Sequence, residues 1–420
     1  MGFKSKFSSS KLLVVNNKKI IENYFFMTLL QVLNSFFYLL IYPYLIRILG
    51  TDNYGLFVFA TSISTYFTFF INFGFDLPAT KEVAKNVHNI NKISEILSIV
   101  FTAKIYLLLI SLFVFSGILV TVPMLQQNSL VFLLCFFQII SSIIFPQWYF
   151  QAVQKMRIVT YIQLGLKLIS LPFIFLLVTE ENDLIIYTVI VTLSTIIGGL
   201  IAFMIVIFNH KIKIQMNGFS TTVVWFKEAF PFFLSTSAGV IKEQSIIIVI
   251  GAFFGMKEVA IYDLASKIIS VPRTIFMSIN AAIFPKLIND IKSHTIKKII
   301  KYETIISLSV IVFIIIFGKF LVQLLGGQTM LPAYPLAILL SVTVMTWLVV
   351  GAYISFVFIP QNKYYLVTKN QIIALSSFVI YALVGLFIFK NILIFGAAMA
   401  LSGLTEILYC KYITKKNKLL

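Results

Sequence analysis

Six basic residues, Lys104, Lys167, Lys242, Lys267, Arg273 and Lys319, stand inside long apolar stretches of this 420-residue chain, together with the acidic Glu243, Asp263 and Glu406. Asp76 stands at the inner end of the second stretch. An ionisable side chain at the centre of a bilayer costs ~2.5–3.5 kcal/mol on insertion scales, so such groups face protein or a water-filled cavity. Depth along each stretch separates them. Lys242 and Glu243 come about fourteen residues into the seventh stretch and Arg273 about as far into the eighth, which puts all three near the midplane. Lys267 and Asp263 are spaced i, i+4 on one helical face and can pair nearer the outer surface. Lys104, Lys167 and Glu406 fall closer to the inner surface and Lys319 closer to the outer one, where a lysine stem can snorkel to water.

Two readings of this set stay open. In one, Lys242–Glu243 and Asp263–Lys267 neutralise each other within the protein and the end-zone lysines snorkel. In the other, the cations line a water-filled cavity and attract an anion, which the depth of Lys242 and Arg273 on consecutive helices favours. Phosphate or diphosphate suits such a cavity better than a cationic drug, for which carboxylates should outnumber amines. Lys242, Lys267 and Arg273, with Lys104, Lys167 and Lys319, are then the candidates for screening substrate charge, and Glu243 and Asp263 are the candidates for carrying a coupling proton or sodium ion. Arg273 follows Pro272, whose missing N–H loosens the helical ladder and can kink a membrane helix beside a cavity.

The elements that position these residues follow from composition. Hydrophobic residues make up 60% of the chain and charged ones 11%, with a mean hydropathy of +0.99, which leaves too little polar surface for a water-soluble domain of this size. A ~30 Å hydrocarbon core needs about twenty apolar residues per helix. The pattern predicts an all-α integral membrane protein with about twelve spans, near 24–46, 54–75, 98–122, 129–151, 161–178, 184–208, 229–254, 259–285, 304–325, 333–358, 371–389 and 392–413. No polar stretch between them is long enough to bury a core of its own.

Basic residues collect on alternate sides of these spans. One side carries the lysines of the first nineteen residues, Lys81, Lys85, Lys92, Lys155, Arg157, Lys211, Lys213, Lys227, the run from Lys286 to Lys301, Lys363, Lys369 and the C-terminal lysines. The other side carries Arg47, Lys257 and Lys390 beside the acidic Glu180, Glu181 and Asp183. The positive-inside rule makes the first side, with both termini, cytoplasmic. It also accounts for the net charge of +18 without a nucleic-acid partner, since these lysines sit on short loops against a membrane whose anionic lipids attract them.

A coarse repeat divides the chain. Leu49-Gly50-Thr51-Asp52-Asn53-Tyr54-Gly55 and Phe254-Gly255-Met256-Lys257-Glu258-Val259-Ala260-Ile261-Tyr262 are both short Gly-polar-Tyr turns opening a long helix, six spans apart. Parallel repeats of this kind predict two six-helix lobes, 1–208 and 209–420, with a site between them. The remaining chemistry is sparse. The chain carries no phosphate-binding Gly-x-x-x-x-Gly-Lys-Ser/Thr loop and no His-Glu-x-x-His or Gly-x-Ser-x-Gly motif, so energy comes from an ion gradient or a partner, and no cofactor is expected. Cys135 and Cys410 are expected to be packing residues, and His88, His210 and His294, in three different loops, are expected to be solvated.

Three segments resemble the Wzx-type polysaccharide flippases of the multidrug/oligosaccharidyl-lipid/polysaccharide (MOP) exporter superfamily. The first is Phe145-Pro146-Gln147-Trp148-Tyr149-Phe150-Gln151 with Lys155-Met156 and the helix carrying Lys167. The second runs from Tyr44-Leu45-Ile46-Arg47 through Gly50 and Tyr54-Gly55 to Phe73-Gly74-Phe75 and Ala79-Thr80-Lys81-Glu82. The third joins Gly255 to Tyr262, Ala265-Ser266-Lys267 and Ala282-Ile283-Phe284-Pro285. The resemblance implies a two-lobed MATE-like bundle in the bacterial cytoplasmic membrane, a transporter and not an enzyme. It further implies alternating access that flips undecaprenyl-diphosphate-linked oligosaccharide for O-antigen or capsule assembly through a cationic central cavity, alongside membrane lipids and the polysaccharide polymerase and chain-length machinery. Lys242-Glu243 matches no motif of that family. The competing readings are a multidrug or metabolite antiporter of the same superfamily, which calls for a net acidic cavity, and a membrane glycan polymerase or ligase, which calls for a large outer loop.

Overall fold

A computed structural model describes the backbone of residues 3–287 and 293–420 and the side chains of residues 22–277 and 293–420. The lysines among the first twenty-one residues, Lys286, Lys292 and the segment 282–285 lie outside the described side chains. Among the described residues the chain is mostly helical and has no strand. Ten helices are long and apolar enough to cross a membrane. One of them, Glu22–Asn72, is long enough to cross twice and breaks at Gly50, and the long helix Met256–Leu287 makes the twelfth.

In chain order the helices are α1 (3–49), α2 (51–72), α3 (Ile90–Thr121), α4 (Ser129–Ala152, in three short pieces), α5 (Met156–Leu177) and α6 (Leu184–Met204, with a π turn at Ile205–Asn209). There follow α7 (Phe219–Phe253), α8 (Met256–Leu287), α9 (Ser293–Gly326), α10 (Ala333–Tyr353, with a π turn at Ile354–Phe358), α11 (Tyr364–Ile388) and α12 (Leu393–Lys416). Several begin well before the expected apolar window, as α7 does at 219 and α9 at 293. A helix end in the interfacial zone keeps its backbone bonds while its polar face is solvated, so apolar windows understate helix length.

Contacts group the chain into two compact units that interleave along the sequence. The first holds residues 1–34, 64–178 and 185–234, and the second holds residues 35–63, 179–184 and 235–420. The first unit takes in the linker after α6 for a visible reason. Residues 211–217 run extended along α3, where Ser94 Oγ, Ser98 Oγ and Thr102 Oγ1 accept from the amides of Lys213, Gln215 and Asn217 at 3.2, 3.0 and 3.1 Å. Hydroxyls four residues apart on a helix rise about 6 Å, close to the two-residue repeat of an extended chain, so the register holds over three steps. α4 breaks before Pro146, and its last turn, Gln147–Ala152, packs on the short helix Asp76–Lys85, where Thr80 Oγ1 donates to the Trp148 carbonyl.

In the second unit α10 is the central helix, packed on α8, α9 and α12. In both Gly-polar-Tyr turns the glycine takes a positive φ that a side chain would resist, 75° at Gly50 and 100° at Gly255. The two turns also pack on each other: a Cβ at Gly55 would overlap the Met256 carbonyl. Tyr42 Oη donates to the Ala260 carbonyl at 3.4 Å and Tyr54 Oη to Asp263 Oδ2 at 2.9 Å, which ties the start of α8 to both sides of the first turn.

Candidate substrate-binding site

Within the second unit the intramembrane charges meet in three pairs. Lys242 Nζ on α7 lies 3.3 Å from Glu406 Oε1 on α12, and the other oxygen of that carboxylate accepts from Asn370 Nδ2 on α11 at 3.2 Å. Asn370 Oδ1 in turn accepts from the buried Cys410 Sγ at 3.4 Å. Arg273 Nη1 on α8 lies 3.3 Å from Glu243 Oε1 on α7, and its guanidinium carbon is stacked 3.2 Å from the centroid of the Trp347 ring on α10. Lys267 Nζ lies 3.9 Å from Asp263 Oδ1 and 4.1 Å from the centroid of the Tyr38 ring on α1.

The i, i+4 pair Asp263–Lys267 forms as expected, but Lys242 and Glu243 do not pair with each other. Neighbours along a helix point about 100° apart, so each reaches a different helix. Glu406 and Lys242 meet at similar depths along their helices. Measured from the lysine-poor ends, Lys242 is 11 residues from Phe253 and Glu406 is 13 residues from Leu393. The pairs differ in access. The Lys242 and Glu406 side chains are 14% and 8% exposed, whereas Arg273 and Glu243 are 30% and 41% exposed.

The first unit treats its cations differently. Lys104 Nζ on α3 is buried and donates to Asn72 Oδ1 at 2.8 Å and to the Ser142 carbonyl at 3.2 Å, with Asp76 Oδ1 farther off at 3.6 Å on a mostly exposed side chain. Lys167 Nζ on α5 donates to Asn34 Oδ1 at 2.7 Å. Neither of the two snorkels. Lys319 is exposed on α9 beside the exposed Phe317 and Phe320 and joins none of these groups among the described residues.

An apolar cavity of about 960 Å³ adjoins the second set, walled by Phe36 and Leu40 of α1, Val271 and Ile275 of α8, and Val310 and Phe313 of α9. At the loop ends, His210 is half-buried and not solvated as expected. Lys155 Nζ lies 2.8 Å from its Nε2 and Tyr149 Oη 2.8 Å from its Nδ1. An ammonium can only donate, so Nε2 accepts and the ring is neutral. Burial, and then the Lys155 charge, hold the His210 pKa below the ordinary imidazole value. No cluster among the described residues has the make-up of a metal site.

Sequence reasoning missed the residues that complete these pairs. Asn34, Asn72 and Asn370 are unremarkable polar residues within apolar runs, and Trp347 reads as one more membrane aromatic. A polar amide inside a span was the available signal, because in lipid it needs a partner as much as a charge does.

With this geometry in place, comparison with known proteins is informative. The family described as "Polysaccharide biosynthesis protein" matches residues 20–289, more than half of the chain. The chain belongs to that family. Among its curated relatives are a "Putative O-antigen transporter" of Escherichia coli (strain K12), 26% identical over 319 residues that make up 75% of each chain, and a protein of the same description from Shigella dysenteriae, 25% identical over 63% of this chain and 67% of that one. Membership bears out the resemblance to Wzx-type flippases of the MOP superfamily. The fold agrees. An inward-facing multidrug resistance MATE transporter of the MOP superfamily superposes with a TM-score of 0.65 at 12% identity over 93% of this chain and 99% of the other. The lipid II flippase MurJ, in an inward closed conformation, superposes with a TM-score of 0.66 at 14% identity over 94% and 86%. The polysaccharide biosynthesis fold of this chain is therefore a MATE-like, multi-pass membrane bundle.

Proposed function

We propose that this chain flips an undecaprenyl-diphosphate-linked oligosaccharide across the bacterial cytoplasmic membrane for O-antigen, capsule or related glycan export. In this reading both termini are cytoplasmic and two six-helix lobes, 1–208 and 209–420, alternate access to the site. One observation carries it: in a family with O-antigen transporters, three cations inside membrane helices of one unit are each held by a carboxylate, two of them on partly exposed side chains. A diphosphate is a stronger acceptor than a single carboxylate oxygen at 3.3 or 3.9 Å, and a guanidinium fork matches phosphate oxygens two at a time. Substrate binding is then an exchange of anions, in which Arg273 and Lys267 leave Glu243 and Asp263 for the diphosphate.

The exchange supplies a reason for ion coupling. A carboxylate left without its cation inside the membrane is costly, so Glu243 or Asp263 takes up a proton or sodium ion as the substrate binds and gives it up as the substrate leaves. The apolar cavity beside α8 gives the polyprenyl chain a path in hydrocarbon while its diphosphate stays with the cations. An antiporter for cationic drugs would need carboxylates in excess, whereas here each of the three is matched by a cation among the described residues.

The test is genetic and chemical. Deleting the gene should make lipid-linked repeat units accumulate and surface glycan disappear. The wild-type chain should restore export, and a variant carrying Lys267→Ala and Arg273→Ala, present at normal level, should not. Full export by that variant would remove the cationic site from the mechanism.

A further inference from the structure

The guanidinium of Arg273 lies directly on the face of Trp347, at 3.2 Å from the ring centroid, and so occupies the place where another ligand would stack. Both side chains are only partly buried. Among the described residues Arg273 is held there by one carboxylate contact, from Glu243, itself 41% exposed. The guanidinium is thus bound by two groups that a diphosphate can replace at once. When it swings to phosphate oxygens, the indole face that it covered is bared a few ångströms from where the diphosphate sits.

A bared indole face in that position has a specific chemical use. The negative face of an aromatic ring attracts positive charge, and the axial C–H groups of a pyranose carry partial positive charge on an apolar surface of matching size. The sugar joined directly to the diphosphate is the part of the substrate within reach. Tyr38 under Lys267 repeats the arrangement, with a cation lying on a ring 4.1 Å from its centroid.

We propose that Trp347 is a sugar-stacking residue, covered by Arg273 in the empty site and uncovered when the diphosphate draws Arg273 away. The inference rests on the diphosphate reading of Arg273 given above. It makes binding ordered, because the sugar surface does not exist until the diphosphate has been recognised. It also makes Trp347 a determinant of the first sugar and not of the lipid.

Trp347 is the one tryptophan of the second unit, since Trp148 and Trp225 both belong to the first. Its emission is therefore the difference between the full-length chain and its Trp347→Phe variant, each purified into lipid nanodiscs. Two probes are titrated: farnesyl diphosphate, and farnesyl diphosphate bearing one N-acetylglucosamine. Farnesyl diphosphate should change the Trp347 emission, and the sugar-bearing probe should bind roughly three- to tenfold more tightly than the bare one. Trp347→Leu should abolish that ratio without weakening the bare probe, and Trp347→Phe, which keeps a ring, should retain part of it. If Trp347→Leu keeps the wild-type ratio while the bare probe still binds, the stacking role is overturned and the diphosphate site stands. If neither probe binds the wild-type chain, the diphosphate reading falls and the stacking role falls with it.

Discussion

Lys104 and Lys167 in the first unit and Lys242, Lys267 and Arg273 in the second meet the same problem, a cation inside a membrane helix, with different partners. The first two donate to side-chain amides and a backbone carbonyl at 2.7 to 3.2 Å, and Lys104, 4% exposed, has the half-exposed Asp76 carboxylate only beyond these bonds, at 3.6 Å. Short bonds to neutral acceptors that are fixed in place make a pin: Lys104 joins the end of α2 to the middle of α4. The other three face carboxylates at 3.3 to 3.9 Å. Longer contacts between charged groups, two of the pairs partly open, suit an exchangeable site. The position of a cation in the membrane does not tell the two uses apart, but short bonds to neutral acceptors mark the first.

The sharpest way to break the contrast is to remove a carboxylate. Glu406→Ala leaves Lys242 uncompensated in a nearly closed position and should cost about 3–5 kcal/mol, seen as a lower midpoint in thermal unfolding of the purified protein. Replacing Lys242 and Glu406 together by methionine should recover most of that loss, because the pair in place and no pair at all are both neutral. Lys104→Met should cost less, about 1–3 kcal/mol in the same measurement, since the buried groups it strands are the neutral Asn72 amide and Ser142 carbonyl, while the Asp76 carboxylate is more than half exposed and stays solvated.

The smallest effect is the pH response of the first unit. His210 has a lowered folded-state pKa, so the unfolded chain binds its proton first as pH falls. Stability should therefore be complete above the ordinary imidazole pKa of about 6.5 and decline as pH drops from there toward the folded value. His210→Gln should flatten that part of the unfolding-midpoint profile.

The sequence carried much of the fold. Apolar run length marked the spans, and the glycines of the two similar turns, Gly50 and Gly255, both take a positive φ. It marked five of the six residues in the three charge pairs as candidates, because a charge in an apolar run stands out in one dimension. Glu406 was visible too, but not as the partner of Lys242, from which 164 residues separate it. Helical periodicity says which residues share a face of one helix and is silent on which helix packs against that face. For the same reason, the asparagines that hold Lys104, Lys167 and Glu406, and the Trp347 ring under Arg273, became visible only in three dimensions.

The exchange account is tested most directly by the affinity of the purified full-length chain in nanodiscs for farnesyl diphosphate, compared among the wild type, Arg273→Ala and Lys104→Met. The account predicts at least about a tenfold loss for Arg273→Ala, the cost of removing a charge partner of the diphosphate, and less than about a twofold change for Lys104→Met. Equal affinity in the wild type and Arg273→Ala, or a loss confined to Lys104→Met, would contradict it.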